Sequence, residues 1–310
     1  MNTVLVTGGA GFLGSHLCQK LIKIGYKVIC IDNLFTGSLK NIEAILENKN
    51  FRFLNHDINI PIENVNADYV FNLACPASPF QYQKYPVETI KTNVLGTLNV
   101  LELVKKNNAR VLQASTSEVY GNPLEHPQSE EYLGNVNPIG PRACYDEGKR
   151  AAETLFYDYN RQFGVDIRVA RIFNTYGPNM AKDDGRVVSN FIIQALKGNP
   201  ITIYGDGNQT RSFCYVDDLI EGLIKLMFNL KRKLPVNLGN PQEVKIKYLA
   251  SQICKLIGNK QVIATKELPS DDPIRRNPDI KIATNYLNWK PKTNLELGLK
   301  NTIKYFKKIS

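Results

Sequence analysis

Three glycines constrain this chain most, because they fall where a short apolar run gives way to a helical pattern. Residues 4–6 are Val-Leu-Val, and glycines follow at positions 8, 11 and 14. Gly8 permits a tight turn after a strand, Gly11 lets the backbone approach a pyrophosphate at a helix N-terminus, and Gly14 lets the helix pack closely on the strand. The spacing GxxGxxG is a variant of the dinucleotide fingerprint and predicts a dinucleotide site.

An acidic residue at the end of the second predicted strand indicates which dinucleotide binds. Asp32 follows the apolar run 27–31. A carboxylate there accepts hydrogen bonds from both hydroxyls of an adenosine ribose and repels a 2′-phosphate. The sequence therefore predicts NAD rather than NADP, the alternative being that Asp32 is an ordinary turn residue before Asn33.

The order of apolar segments predicts the fold class. Apolar runs at 4–6, 27–31, 51–53, 69–73, 110–114 and 165–172 alternate with helical periods at 15–24, 87–106 and 146–163. This alternation is typical of an α/β fold, a doubly wound parallel sheet (Rossmann). Beyond residue 172, frequent Pro and Gly indicate a smaller C-terminal substrate-binding domain. We expect residues 1–173 and 212–238 to form the NAD-binding domain, and 174–211 and 239–310 to form the substrate domain.

Composition excludes several functional classes. Of 310 residues, 43% are hydrophobic and 22% charged, with no apolar stretch long enough to span a membrane. The N-terminus carries no basic stretch typical of a signal peptide, so we expect a soluble, cytoplasmic protein. The net charge of +10 comes from dispersed lysines without interleaved aromatics, which favours a solvated surface and anionic small molecules over nucleic acid or membrane.

The cysteines and histidines argue against a metal site. The six cysteines are widely separated, without a CxxC pair, and only three histidines are present. We therefore expect reduced cysteines and chemistry that needs no metal.

A tyrosine and a lysine four residues apart form the candidate catalytic pair. Tyr145 and Lys149 would share one face of a helix. An adjacent ammonium and a positively charged nicotinamide would lower the pKa of the phenol and make it a usable base. Alone, this spacing is a common helical accident, but the glycine loop favours catalysis.

Polar residues after the strand 110–114 supply further candidates. Thr116 would hydrogen-bond the reacting oxygen together with Tyr145, and Glu118 adds a carboxylate close by. The alternative is a strand cap and turn.

Together these residues resemble the extended short-chain dehydrogenase/reductases, a family of sugar-nucleotide epimerases, dehydratases and decarboxylases. Within that family the chain is most similar to the UDP-glucuronate decarboxylases. The likeness spans nearly the whole chain and is carried by residues 74–79, 115–121, 126–130, 137–150, 170–178, 184–191, 209–213 and 271–279.

The resemblance implies a set of site residues. NAD would be held by Gly8, Gly11, Phe12, Leu13, Gly14, Asp32, Asn33, Thr36, Gly37, Asp57, Ile58, Leu73, Ala74, Thr92, Ala114, Tyr145, Lys149, Thr175 and Arg186. The UDP-sugar would be contacted by Lys91, Asn174, Arg211 and Arg276. Tyr145, Lys149, Thr116, Glu118 and Arg276 would be catalytic, with Glu118 and Arg276 positioning the ring and delivering a proton to C5.

The implied reaction is decarboxylation of UDP-glucuronate through a 4-keto sugar, with NAD regenerated. Two rivals within the family are a UDP-sugar 4-epimerase and a nucleotide-sugar 4,6-dehydratase. Dehydratases typically have an Asp-Glu pair after the threonine, whereas Ser117 follows Thr116 here, and epimerases generally lack a glutamate at position 118. A non-catalytic NAD-sensing protein is a further alternative from another class.

The two long helical periods also bear on oligomeric state. The stretch 87–106 carries an apolar stripe, and 146–163 is similar. These helices either pair with their copies in a homodimer, through a helix bundle, or pack on their own sheet.

Overall fold

The computed structural model describes residues 1–229, 234–260, 262–267 and 275–309. The described strands are β1 (Thr3–Thr7), β2 (Lys27–Asp32), β3 (Phe51–Asn55), β4 (Tyr69–Asn72), β5 (Arg110–Thr116), β6 (Asp166–Ile172), β7 (Thr175–Tyr176), β8 (Ile201–Tyr204), β9 (Thr210–Ser212), β10 (Cys214–Tyr215), β11 (Val236–Leu238), β12 (Glu243–Lys245) and β13 (Ile263–Lys266). The described helices are α1 (Phe12–Lys23), α2 (Pro79–Lys84), α3 (Pro86–Lys91), α4 (Thr97–Asn107), α5 (Ala143–Phe163), α6 (Val187–Leu196), α7 (Val216–Phe228), α8 (Ile246–Ile257), α9 (Lys281–Leu287) and α10 (Leu295–Ile309).

A parallel sheet of seven strands confirms the predicted α/β fold. Its order is β11-β6-β5-β4-β1-β2-β3, and every pairing is parallel. The central strands are apolar because helices cover both faces, and residues 4–6 of β1 are fully buried. The chain runs from β1 outward to β3 and then returns to β4 on the other side of β1. This reversal creates a crevice at the carboxyl ends of β1 and β4, where ligands bind in such sheets.

The helical stretch 87–106 differs from a single regular helix. It consists of α3 and α4 joined by a π-helical turn, Thr92–Gly96. The extra residue in a π-turn rotates the apolar stripe, so Leu101 and Val104 of α4 are buried whereas Val87 and Ile90 of α3 are exposed. Only the second half of the stripe therefore packs on the sheet.

The C-terminal third of the chain is built from small sheets and helices. Three two-stranded sheets pair β7 with β10, β9 with β12, and β8 with β13. Helices α6, α8 and α10 pack on one another, and their buried apolar residues continue the core that lies beneath β1 and α7. This arrangement carries the segments 174–186 and 209–213 to the edge of the sheet that ends in the crevice.

Some sequence features lie outside the described residues. They are the short run Lys-Arg-Lys at 231–233, which contributes to the positive charge of the chain, and residues 271–274 of the stretch 271–279 that carries the family likeness. Within the part of the chain that the structure describes, no helix has both the length and the apolarity needed to cross a membrane. Nor does that part hold a group of three or more His, Cys, Asp or Glu side chains arranged to bind a metal ion.

Candidate active site

A cleft of about 1270 Å³ lies at the carboxyl ends of the parallel strands. Its lining includes residues that directly follow β1, β4, β5 and β6, and it extends to residues 174–191 and Arg276. The sequence-predicted residues that line it are Gly8, Gly11, Phe12, Leu13, Gly14, Asp32, Asn33, Thr36, Asp57, Ile58, Leu73, Ala74, Thr92, Ala114, Thr116, Glu118, Tyr145, Lys149, Asn174, Thr175, Arg186, Arg211 and Arg276. The fold therefore brings residues from many parts of the chain to one cavity.

The glycine loop forms one wall of the cleft, and its geometry requires glycine. Gly8 adopts φ +67°, and a Cβ on it would lie 2.9 Å from the backbone of Ala74. A Cβ on Gly14 would lie 2.1 Å from the carbonyl oxygen of Gly8. Any side chain at these positions would push the loop apart, which explains the first and third glycines.

The N-terminus of α1 faces the cleft without a protein side chain to cap it. Gly11 is the N-cap, this end of the helix has no side-chain cap hydrogen bond among the described residues, and its first turn holds no acidic residue. The first backbone N–H groups of a helix lack intrahelical acceptors and carry a partial positive charge. This end of α1 therefore fits the pyrophosphate of a dinucleotide.

Asp32 is fixed at the end of β2 by backbone donors. Its carboxylate accepts hydrogen bonds from Ala10 N at 3.0 Å and from Leu34 N at 2.8 Å. Each carboxylate oxygen can accept more than one hydrogen bond, so both remain able to accept from ribose hydroxyls. Gly37 does not line the cleft, but a Cβ on it would lie 2.8 Å from Asp32 Oδ1, so its role is to leave room for the carboxylate.

Tyr145 and Lys149 lie in the first turns of α5, which approaches the π-turn closely. A Cβ on Gly148 would lie 2.8 Å from the Asn93 side chain, so glycine allows this approach. The ammonium of Lys149 donates to the carbonyl oxygen of Ala114 at 2.9 Å and lies 5.8 Å from the centre of the Tyr145 ring. Lys149 is thus anchored to the end of β5 beside the phenol.

Burial dominates the electrostatics of Tyr145 in the ligand-free protein. Burial, followed by the neighbouring thiol of Cys75, raises the pKa of the phenol, and the hydrogen bond with Thr116 lowers it only in part. Burial also lowers the pKa of Lys149. The predicted lowering of the phenol pKa combines the ammonium with a positively charged nicotinamide, and it stays a prediction for the protein with cofactor bound.

Thr116 ends β5 and places its hydroxyl at the turn that follows. Its Oγ1 accepts a hydrogen bond from Glu118 N at 3.2 Å and is bonded to the Tyr145 phenol. The preceding residue, Ser115, points the other way and donates to Glu153 Oε1 at 2.5 Å. The alternation of a strand thus directs Thr116 to the cleft and Ser115 to the interior.

Glu118 stands between two arginines. Its carboxylate forms ion pairs with Arg276 and with Arg142. Arg276 also donates to Ser117 Oγ at 3.2 Å and to the carbonyl oxygen of Gly121 at 2.9 Å. Burial raises the pKa of Glu118, but the two guanidinium charges outweigh it and bring the pKa to about 2. Glu118 is therefore ionised at neutral pH.

The predicted UDP-sugar contacts separate into two groups. Asn174, Arg211 and Arg276 line the cleft. Lys91 lies exposed at the C-terminal end of α3 and is not among the described residues that line it.

Two residues that lie beside Tyr145 are among the cleft residues that were not predicted from the sequence. The ring of Tyr82 on α2 stacks on that of Tyr145, with centres 4.9 Å apart and planes at 8°. The guanidinium of Arg142 lies 5.9 Å from the centre of the Tyr82 ring. Arg142 could have been found from its position three residues before Tyr145 and four before Asp146 on one helix, whereas Tyr82 has no such signal.

Comparison with known proteins gives a consistent set of relatives. The profile of the NAD dependent epimerase/dehydratase family matches residues 4–239. The chain is 55% identical over 305 residues to UDP-glucuronic acid decarboxylase 1 of Xenopus tropicalis, covering 98% of this chain and 72% of that protein. It is 54% identical over 297 residues to UDP-glucuronic acid decarboxylase 6 of Arabidopsis thaliana, covering 96% of this chain and 86% of that protein.

A solved structure of similar fold contains both a sugar nucleotide and NAD. The UDP-glucuronic acid 4-epimerase from Bacillus cereus, in complex with UDP-glucuronic acid and NAD, matches with a TM-score of 0.90 and 30% identity. The match covers 99% of this chain and 100% of that chain. The likeness thus extends beyond the family profile to the C-terminal segment that carries Arg276.

Proposed function

We propose that this chain, which belongs to the NAD-dependent epimerase/dehydratase family, converts UDP-glucuronate to UDP-xylose and carbon dioxide with NAD regenerated in each cycle. The single observation that carries the proposal is the ion-paired Glu118 and Arg276 beside Tyr145, in a chain 53–55% identical to UDP-glucuronic acid decarboxylases.

The chain's own residues account for holding the cofactor. The N-terminus of α1 would face the pyrophosphate, Asp32 would accept from the adenosine ribose, and Lys149, near Ala114, would lie at the nicotinamide end. When bound, NAD supplies the acceptor for the hydride at C4 of the sugar.

Tyr145 removes the proton from the C4 hydroxyl. In the ligand-free protein burial keeps the phenol protonated. A positively charged nicotinamide in the cleft would favour the phenolate, so the base forms only when cofactor is present. Thr116 holds the phenol by a hydrogen bond and would share the reacting oxygen.

Loss of carbon dioxide follows from the 4-keto sugar. The C6 carboxylate then lies β to a ketone, so the electrons of the breaking C5–C6 bond pass to an enolate whose oxygen Tyr145 and Thr116 hold. Arg276, tied to Glu118, Ser117 and Gly121, would orient the carboxylate region of the sugar. Asn174, Arg211 and Lys91 would contact the rest of the sugar nucleotide.

A second candidate is 4-epimerisation of the same substrate, because the Bacillus cereus epimerase combines this fold with UDP-glucuronic acid. Incubation of the purified protein with UDP-glucuronate, without added NAD, separates the two. Decarboxylation gives equimolar carbon dioxide and UDP-xylose, whereas epimerisation gives UDP-galacturonate and no gas. Absence of both products would refute the proposal and favour a non-catalytic NAD-sensing protein.

The oligomer we propose is a homodimer through the helix bundle. Supporting this, Val87, Ile90 and Leu95 are 40–55% exposed on the segment formed by α3 and the π-turn, which packs beside α5. Light scattering should give twice the mass of one chain for the unmodified protein. Leu95→Glu should reduce the measured mass to that of a single chain. Leu297→Glu, at a similarly exposed leucine on α10, should leave the dimer intact.

Location and domain division are also proposals. We propose a cytoplasmic location, since all six cysteines are free as expected in a reducing compartment. Cell fractionation tests this. We also propose the division into 1–173 with 212–238 and 174–211 with 239–310, because the first set contains every strand of the seven-stranded sheet.

A further inference from the structure

Four charged side chains, Glu118, Arg142, Asp146 and Arg276, meet beside the Tyr145 phenol. Two of them, Arg142 and Asp146, have no role in the proposed steps. Asp146 is 7% exposed, and its Oδ2 lies 3.8 Å from Arg142 Nε. Its other oxygen, Oδ1, is buried without a hydrogen-bond partner among the described residues. A buried carboxyl oxygen without a partner calls for an explanation, because ionisation there is costly.

The proposed reaction requires a proton at C5, whose delivery the family resemblance assigns to Glu118 and Arg276 without giving its source. Replacing a carboxylate by hydrogen consumes one proton for each carbon dioxide released. The proton that Tyr145 takes from the C4 hydroxyl returns to that oxygen when the ketone is reduced, so it is not available for C5. Glu118 is held as a carboxylate by Arg276 and Arg142. A separate group must therefore hold the C5 proton.

We propose that Asp146 holds this proton and passes it to C5 through a water molecule oriented by Glu118. The inference rests on the proposed function, since it assigns a step of that reaction. Asp146 is not among the described residues that line the cleft. It acts through water and Glu118, and is therefore a positioning residue for the proton.

The step balances in atoms and charge. The C5–C6 bond breaks and carbon dioxide leaves. The electron pair of that bond becomes the C4–C5 double bond of the enolate. The enolate then takes a proton at C5 from water, which is restored by the carboxylic acid of Asp146. Asp146 is left as a carboxylate and regains a proton from solvent before the next turnover.

The charges around Asp146 fit this cycle. The groups that face it are Arg142, Cys144, Tyr145 and Glu147 on its own helix, Glu118 on the turn after β5, Arg276 on the C-terminal segment and Tyr82 on α2. With Asp146 protonated, Glu118, Arg142 and Arg276 sum to one positive charge, which suits a substrate carboxylate. With Asp146 ionised they sum to zero, which no longer opposes the approach of an external proton.

The acidity of Asp146 agrees with this role. Burial, and then the negative charge of Glu118, raise its pKa, whereas Arg142 and Arg276 oppose the rise, and the result is about 7. A group of this acidity is half protonated near neutral pH, where a general acid works best.

The test compares pH profiles of kcat for carbon dioxide release. In the unmodified protein, kcat should fall about tenfold for each pH unit above about 7. Asp146→Asn should lower kcat about a hundredfold and abolish the falling limb. It should also raise the steady-state fraction of reduced cofactor, because the enolate must be protonated at C5 before the hydride returns to C4. Asp146→Glu should keep the falling limb of the kcat profile, because it keeps a carboxylic acid at this position.

The matched control is Asp158→Asn, the same substitution at an exposed position of α5. It should leave rate and profile unchanged. A profile of Asp146→Asn that superimposes on that of the unmodified protein would overturn the proposal. If that variant does not fold, a kcat of the unmodified protein that stays flat above pH 7 overturns it equally. Failure of the proposed function is a different result, because the unmodified protein would then release no carbon dioxide at any pH.

Discussion

The guanidinium of Arg276 pairs with the carboxylate of Glu118, which joins the turn after β5 to a C-terminal segment distant in the chain. Arg276 is 2% exposed and makes three of its contacts to the single stretch 117–121. The pair therefore fixes the C-terminal segment over the carboxyl end of the sheet. Together with Arg142 the pair carries one net positive charge, which suits the sugar carboxylate of the proposed substrate.

Truncating this arginine should affect both catalysis and stability. Arg276→Ala leaves Glu118 buried with one cationic partner fewer, and we expect a loss of about 3 kcal/mol in unfolding free energy. Carbon dioxide release should fall at least about a hundredfold. Chemical denaturation and a carbon dioxide assay measure the two effects. Arg275→Ala, at the exposed neighbouring residue, should change neither.

Removing the phenol oxygen should stop turnover and leave the cofactor bound. Tyr145→Phe keeps the ring that stacks on Tyr82 but loses the group that accepts the C4 proton. We expect kcat to fall at least about a hundredfold, with the same amount of NAD co-purifying. Tyr248→Phe, at a half-exposed tyrosine, is the control. Activity within tenfold of normal would remove Tyr145 from the role of base.

Asp32 should determine the choice between NAD and NADP. Asp32→Ala removes the carboxylate that would accept from the ribose hydroxyls. The N–H groups of Ala10 and Leu34 lose the same carboxylate as their hydrogen-bond acceptor. We expect NAD affinity to fall about tenfold or more, and the preference over NADP to narrow. Titration with each dinucleotide measures both. Asp206→Ala on an exposed turn should keep normal affinity, and an unchanged preference in Asp32→Ala would contradict the assignment.

Asp146 should make stability depend on pH. Burial and Glu118 raise its pKa to about 7, above the value of about 4 expected in the unfolded chain. The folded state therefore binds a proton more tightly, and this contribution to stability is fully present below about pH 4 and is lost as pH rises through about 7. Asp146→Asn should remove that decline, whereas Asp158→Asn should retain it. Unfolding free energies measured between these limits test the sign, and parallel curves for all three proteins would contradict it.

Local features could be predicted from the sequence. β1 to β6 are apolar runs, and helical periods separate β1 from β2, β4 from β5 and β5 from β6, which was enough to predict the parallel sheet. The glycine loop lies within eight consecutive residues. β11 has only three residues, too few to show a period. The π-turn at 92–96 also leaves no trace in the spacing of apolar residues, although it decides which half of the stripe is exposed.

The electrostatics of the site could not be predicted from the sequence. The phenol pKa in the ligand-free protein depends on how deeply α2 covers Tyr145, which is a matter of packing, whereas the sequence shows only the neighbouring lysine and the glycine loop for the cofactor. The cluster of Glu118, Arg142 and Arg276 joins three distant segments. Family resemblance suggested Glu118 and Arg276, but their direct pairing and the presence of Arg142 follow only from the tertiary structure.

The most direct test of the account follows the hydrogen at C4. UDP-glucuronate carrying deuterium at C4 should give carbon dioxide and UDP-xylose that retains the deuterium at C4 and gains one solvent hydrogen at C5. Loss of the deuterium to the medium, or its retention in UDP-galacturonate with no gas released, would contradict a redox-neutral decarboxylation in this cleft.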